Sequence, residues 1–433
     1  MTSLWFKKID NTPLVLWRII FGFLIAAETF GALITGWVHD TLVSPTFTFN
    51  FIGFEFLQPL PGWGMYFYFF AMGCLGVMVL LGYQYRRAML GFALMWSCVY
   101  LMQKTAYNNH YYLLMLVSWM MVFLPAHKTL SLDASAQNKH EYTMPQWVKI
   151  VFIGQIWIVF TYAALAKIYP AWLDGTVAGI FMRSKINYPI IGHWLQAPWL
   201  QTGITFGGIL FDALIIPMLL WRRTRALAFV LSLVFHLFNS VVFQIGIFPY
   251  MSIAFGLFFF PSSILSKRFR YQRPAYQVPK QQPSKGWIPW VIVTYLAVQI
   301  VLPLRHHFIP DNVLWTEEGH RLSWRMMLRS RSGQITYWTI DQNTGQKTIY
   351  PIKPLLSDKQ LKMLPAHPDF IWQMAQRIKA LEADNGRVVS VFASGKVKVN
   401  GSEYHPFIDQ NIDLANTPWR TWGHQTWILP GPF

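Results

Sequence analysis

Pro13-Leu-Val-Leu-Trp-Arg-Ile-Ile-Phe-Gly-Phe-Leu-Ile-Ala-Ala-Glu-Thr-Phe-Gly-Ala-Leu-Ile-Thr-Gly-Trp37 decides the class of this protein. Only Arg18 and Glu28 are charged in it, and roughly 20 apolar residues are enough to cross about 30 Å of hydrocarbon. No small-residue cleavage site follows, so the run reads as a retained span and not as a signal peptide. Further apolar runs occupy 64–84, 88–106, 109–125, 147–167, 202–221, 226–245, 249–265 and 287–304. The expected fold is a polytopic α-helical membrane protein of about nine transmembrane helices.

Composition points the same way. Of 433 residues, 54% are hydrophobic and 13% charged, the latter about half the share usual in a soluble domain. This excludes a disordered or fibrous chain and argues against a soluble enzyme. Residues 1–305 hold 22 basic and 8 acidic residues, against 14 and 11 in 306–433. Basic residues set between apolar runs mark loops facing anionic lipid and cytoplasm, not a nucleic-acid groove. One set of loops is cation-rich: Lys7 and Lys8, Arg86 and Arg87, Lys128 and Lys139, Arg222, Arg223 and Arg225, and Lys267 to Lys285. The other set has only Lys104, Lys167, Arg183 and Lys185. The positive-inside rule then puts the N-terminus in the cytoplasm and the C-terminal region outside an inner, cytoplasmic membrane. Cys74 and Cys98 both lie in apolar runs and form neither a disulfide framework nor a zinc site.

Beyond Arg305 the pattern changes. Gly333–Ile340 and Arg387–Ala393 are rich in β-branched and aromatic residues, and Asn343-Thr-Gly345, Ala383-Asp-Asn-Gly386 and Asn400-Gly401 supply turns. Phe370, Met374, Ile378 and Leu381 share a helix face. The expected division is a helical transmembrane catalytic domain over 1–305 and a small, mostly β exterior domain over 306–433, packed on it. The Arg/Pro/Gln-rich stretch 266–286 reads as a cytoplasmic connector.

Polar residues inside apolar runs are functional candidates by default. The densest set is Gln103-Lys-Thr-Ala-Tyr-Asn-Asn-His-Tyr-Tyr112. Lys104 fits either a snorkelling residue or a reactive amine. Asn108, Asn109 and His110 fit either a helix cap or a hydrogen-bonding floor for a polar ligand. A second set is His236-Leu-Phe-Asn239 with Gln244, beside Gly246 and Pro249; a helix broken there usually lines a cavity. Asp212 and Glu28 are further intramembrane carboxylates, and Arg18 is a possible partner for Glu28. There is no metal-ligand spacing, nucleotide-binding loop or serine elbow.

These polar stretches resemble the vitamin K-dependent γ-glutamyl carboxylase family. Leu101-Met-Gln-Lys-Thr-Ala-Tyr-Asn-Asn-His-Tyr-Tyr-Leu113 is similar to the sequence around that family's catalytic lysine. The likeness continues through Gly154-Gln-Ile, Lys167-Ile-Tyr-Pro-Ala-Trp-Leu-Asp-Gly175, His236–Tyr250, Leu322-Ser-Trp-Arg-Met-Met-Leu-Arg-Ser-Arg331, Phe407-Ile-Asp and Asn416-Thr-Pro-Trp419, in order over nearly the whole chain. The short C-terminus departs from the long luminal region of the animal enzymes and looks like the bacterial, horizontally transferred transmembrane (HTTM) group.

The resemblance implies a carbon–carbon lyase that converts peptidyl glutamate to γ-carboxyglutamate. CO2 and O2 would be co-substrates, coupled to oxidation of vitamin K hydroquinone, or a related menaquinol, to its epoxide. Lys104 then matches the base that deprotonates the hydroquinone, with Asn109 and His110 beside it as catalytic residues. Asn108, His236, Asn239, Gln244, Trp324, Met326 and Met327 become cofactor-binding candidates. Trp324, Met326 and Met327 are equally readable as packing between tail and membrane part. Arg325, Arg329 and Arg331 meet either an acidic peptide or solvent. The implied partners are a glutamate-containing peptide or protein and the lipid bilayer. The competing readings are a non-carboxylating quinone-binding or toxin-related membrane protein on the same scaffold, and a transporter, which would need paired broken helices.

Overall fold

A computed structural model describes residues 5–269 and 286–432. Most of the expected connector, residues 270–285, lies outside the described residues. The helices are α1 (Thr12–Ile34), α2 (Gly64–Leu81), α3 (Tyr85–Met102), α4 (Asn109–Phe123), α5 (Gln146–Leu165), α6 (Pro198–Leu220), α7 (Arg225–Phe243), α8 (Phe248–Phe255) and α9 (Trp287–Leu304). A helix forms at each expected place, but length and composition alone do not confirm the count of nine spans. Among the described residues, six are long and apolar enough to cross a membrane: α1, α2, α5, α6, α7, and α9 continued to Phe308. The other three fall short for local reasons. Arg86 and Arg87 in its first turn lower the hydropathy of α3, α4 has 15 residues, and α8 with its following turn ends at Phe258.

Small residues set the closest crossing. A Cβ on Gly22 would lie 2.3 Å from the Leu80 backbone nitrogen, and one on Gly76 2.7 Å from that of Ala26. The backbones of α1 and α2 therefore touch, as small residues permit in apolar bundles. At one end of the bundle, β1 (Lys8–Asp10) pairs antiparallel with β2 (Thr143–Pro145). The Asp133 carboxylate accepts from the Gln84 and Tyr85 amides at 2.8 and 2.9 Å. The basic N-terminus, the 84–87 turn and the 128–145 loop thus gather together. The opposite end meets the C-terminal domain through the loop after α1: Thr46 Oγ1 donates to the Leu355 carbonyl at 2.8 Å, and Gln373 Nε2 to that of Asn50 at 3.0 Å.

That domain is a four-stranded antiparallel sheet, ordered β4 (Lys347–Tyr350), β3 (Arg331–Asp341), β5 (Val389–Val399), β6 (His405–Pro406). The register of the central pair runs from Arg331↔Val399 to Asp341↔Val389. Val389, Val391, Ala393, Val397 and Val399 alternate onto one buried face, and α10 (Pro368–Asp384) lays Phe370, Met374 and Ile378 against it. Leu381, expected on that stripe, is half-buried. The two parts exchange anchors. Phe49 of the membrane part is buried in the sheet-domain core, while Trp324 of the tail is buried in the helical core.

Candidate functional site

The polar run 103–112 does not form one surface. α3 stops at Met102, Gln103 is extended, and Lys104–Ala106 make a single 3₁₀ turn before Asn108 caps α4 through its Oδ1 and the Tyr111 amide at 2.7 Å. The expected helix through residue 106 is therefore cut short. Ser, Asn and Asp side chains compete for backbone groups at such ends, and Asn108 does so here. The capping reading of Asn108 is realised, although the residue also borders a cavity.

Lys104 is buried, so it does not snorkel to water. Its ammonium is ion-paired with Asp369 at the start of α10, a carboxylate that Arg321 Nη1 also reaches at 2.8 Å. The Phe370 ring lies 5.4 Å away, and the Lys104 amide donates to the Phe49 carbonyl at 2.7 Å. Burial pushes the lysine down to about 8 from its ordinary value, partly opposed by Asp369. Burial alone would raise the Asp369 carboxyl, but Arg321 and Lys104 more than reverse it and hold it well below the usual carboxylate range. Lys104 thus lies in the seam between membrane part and sheet domain. It is absent from the cavity walls formed by Asn108, Asn109 and His110. Adjacency in sequence put the four together; the 3₁₀ turn separates them.

An outer cavity of about 710 Å³ is bounded by Glu28 and Trp37, by Asn108–Tyr111, by Gln244–Gly246 after α7, and by Arg325–Met327. The break after α7 forms because Gln244 and Gly246 take positive φ, 51° and 61°, and the unwound backbone lines the cavity as its sequence implies. A Cβ on Gly246 would sit 3.3 Å from the Glu28 carboxylate. Glu28 accepts from Tyr111 Oη at 2.8 Å. It does not pair with Arg18, whose guanidinium donates to the Val79 and Leu130 carbonyls; ten residues apart on one helix is about 15 Å.

Beyond His110 and the two methionines, a tighter inner cavity of about 90 Å³ adds Lys167, Asp212, His236 and Asn239. His110 stacks on Phe248, ring centroids 4.0 Å apart. His236 is boxed by Phe160, Phe211, Phe235 and Phe248, and its buried Nδ1 has no partner among the described residues. Lys167 Nζ lies 2.5 Å from Asp212 Oδ2 and 3.1 Å from the Ala163 carbonyl. The sequence reading missed this pair as a site. Its signal was present as opposite charges in two separate apolar runs, which the cost of lone intramembrane charges drives together.

Two other candidates hold structure. Asn109 Nδ2 donates to the Arg325 carbonyl at 3.0 Å, while its Oδ1 accepts from Tyr107 Oη at 3.0 Å. Tyr107 Oη in turn accepts from the Leu322 amide at 2.7 Å. Asn109 and Tyr107 therefore tether the strap 322–327. Trp324 is fully buried, stacks on Tyr112 at 4.8 Å and touches neither cavity, so its packing reading is the one realised. Within the strap Leu322, Trp324 and Met327 all take positive φ, 59°, 55° and 50°. Such strain in bulky residues persists only where surroundings enforce it, and it clusters at functional sites.

Two family models match the chain, one after the other. An HTTM domain model matches residues 6–263, and the model of the vitamin K-dependent gamma-carboxylase lumenal domain matches residues 284–432. No solved structure matches the chain.

Proposed function

The chain belongs to the vitamin K-dependent gamma-carboxylase family, and on that premise we propose that it is an integral-membrane carboxylase. It adds CO2 to the γ-carbon of peptidyl glutamate while a reduced vitamin K-type quinone is oxidised to its epoxide. The observation that carries the reading is the inner cavity of Lys167, Asp212, His110 and His236, which shares His110, Met326 and Met327 as lining with the larger outer one. The residues suit a quinol: aromatic and thioether walls for the ring, and an unpartnered buried imidazole nitrogen for one of its oxygens. A bound hydroquinone supplies the reducing equivalents for O2 and, through them, a base stronger than any side chain.

The residues provide the rest. In this reading the Lys167–Asp212 pair, and not Lys104, takes up the hydroquinone proton: the ammonium gives its proton to the Asp212 carboxylate beside it and the amine so formed accepts the new one. Lys167 faces the cavity and has a carboxylate 2.5 Å away to share the charge, whereas Lys104 faces Asp369 in the seam. His236 holds the second oxygen, and His110, stacked on Phe248, forms the wall between the two cavities. Low polarity around them keeps out water that would quench reactive species. The gathering of basic N-terminal, 84–87 and 128–145 segments at the end away from the sheet domain supports a cytoplasmic N-terminus and an exterior sheet domain.

Purified protein incubated with reduced vitamin K, labelled bicarbonate and a glutamate-rich peptide is expected to yield labelled peptide and quinone epoxide together. Epoxide without labelled peptide would favour a quinol oxidase on the same scaffold, and neither product would sink the proposal.

A further inference from the structure

Five arginines crowd the junction between membrane part and sheet domain, and four are held by ion pairs or short hydrogen bonds, although Arg331 leaves its buried Nη2 without a partner. Arg321 pairs with Asp369. Arg329 and Arg331 both lie against Glu317, and Arg331 also donates to the Leu314 and Trp315 carbonyls. Arg305 donates to the Leu302 and Arg321 carbonyls and to Ser323 Oγ. Arg325 differs. It is 9% exposed, forms no ion pair among the described residues, leaves its buried Nε without a partner, and makes one long contact, Nη1 to His306 Nε2 at 3.5 Å. A buried cation without a directly paired counter-ion is costly, and the carboxylate whose charge Arg325 feels, Glu317, is already paired with Arg329.

The surroundings indicate where the anion comes from. Arg325 borders two cavities: the outer quinol cavity, and a separate one of about 460 Å³ between the ends of α5 and α9 and the sheet domain. Tyr169, His306, His307 and Ser323 give that second cavity a polar wall. Its carboxylate, Asp311, is occupied by the Asn312 and Gly431 amides at 2.5 and 2.6 Å, so it does not neutralise the arginine. Asn109 fixes the Arg325 backbone through its carbonyl, and the residue on either side, Trp324 and Met326, belongs to the strained strap. The guanidinium is thus held in the partition between the two spaces.

Resting on the carboxylase reading, we infer that Arg325 is the receptor for the γ-carboxylate of the glutamyl substrate. The peptide occupies the 460 Å³ cavity and presents one glutamate through the partition toward the quinol side. A guanidinium fork fits a carboxylate with two parallel hydrogen bonds. It also discriminates glutamate from glutamine, because an amide offers the fork one acceptor and no charge.

The test is equilibrium binding, by fluorescence anisotropy, of a labelled hexapeptide with one central glutamate to the full-length protein in detergent. The same peptide carrying glutamine is the control, and quinol and bicarbonate are left out. Arg325→Gln should weaken binding of the glutamate peptide about 10- to 100-fold and leave the glutamine peptide unchanged. Its melting temperature should equal or exceed that of wild type, since removing an unpaired buried charge does not cost stability; a merely structural arginine would lower it. Unchanged affinity for the glutamate peptide overturns the assignment. Should Arg325→Gln fail to melt cooperatively, Arg325→Lys takes its place, and there wild-type affinity is the overturning result, because a point charge cannot reproduce the fork. As no turnover is needed, arginine-dependent binding without carboxylated product would break the proposed reaction and leave this site standing.

Discussion

Lys104 and Lys167 begin from the same chemistry and end in different surroundings. Both are buried ammonium groups, each beside an aspartate from a distant part of the chain. Lys167 opens onto a cavity with two histidines. Lys104 is enclosed by Asp369, Arg321 and the Phe370 ring, on the seam where the loop after α1 and the 3₁₀ turn meet α10. A buried lysine–carboxylate pair is therefore not a signature of catalysis. What distinguishes the two sites is that Lys167 itself lines a cavity, whereas at the seam only Arg321 and Asp369 border one, of about 300 Å³, and the number of other charges sharing the carboxylate. Asp369 serves two cations and acts as a clasp between domains, while Asp212 serves one.

The largest expected effect separates the two lysines by rate. Lys167→Ala should lower epoxide formation and carboxylation together by about 10²- to 10⁴-fold, the range for a positioned acid–base group, when compared below the melting range of a variant that has lost one member of a buried ion pair. Lys167→Arg should not restore activity, because a guanidinium does not release its proton in this pH range. Lys104→Met should keep at least a tenth of wild-type kcat, at about the level where a positional effect, not loss of the base, is being read. The opposite pattern, with Lys104→Met inactive and Lys167→Ala active, would return the base to the seam.

Next in size is the clasp. Asp369→Asn leaves Lys104 and Arg321 facing each other without a counter-ion, and loss of one member of a buried ion pair costs about 3–5 kcal/mol. The variant should melt well below wild type in detergent. Wild-type stability in Asp369→Asn would remove the distinction between seam and cavity.

The smallest effect is a pH dependence. Lys104 titrates near 8 in the folded protein against an ordinary value of 10.5, so between those values the unfolded chain binds the extra proton. Stability contributed by this group then rises as pH increases from about 8 toward 10.5, and is flat below. Wild-type melting temperature should gain on that of Lys104→Met across this window. For Asp369 the sign is the same in a lower window: its folded value lies below the ordinary 3.8, so its contribution is fully present above 3.8 and is lost as pH falls from there through the folded value. Equal wild-type and Lys104→Met slopes between 8 and 10.5 would show that the lysine is not desolvated as described.

Much of the architecture could be read in one dimension because hydropathy is local. Long apolar runs became helices at every expected place, and the β-branched segments with their Asn–Gly and Asp–Asn–Gly turns became the sheet. The number of crossings was not legible. Of the runs 88–106 and 109–125, the first becomes a helix that takes in Arg86 and Arg87, which lower its hydropathy, and ends at a 3₁₀ turn, and the second is a 15-residue helix that starts at an asparagine cap.

The site divides along the same line. Composition and order of residues determined that this is a membrane-embedded helical protein with a small sheet domain, and that its polar residues were too costly in lipid to be incidental. His110, His236, Asn239, Gln244, Met326 and Met327, chosen from sequence, do meet around two cavities that share lining residues. Three-dimensional packing alone decided which lysine faces that space. Lys167 and Asp212 are 45 residues apart, and Lys104 and Asp369 are 265 apart. No local pattern couples groups so distant. Each charge finds its partner only when helix crossings at Gly22 and Gly76 and the docking of α10 fix the distances, because a lone charge in a low-dielectric interior is paired by whatever opposite charge the fold brings within reach.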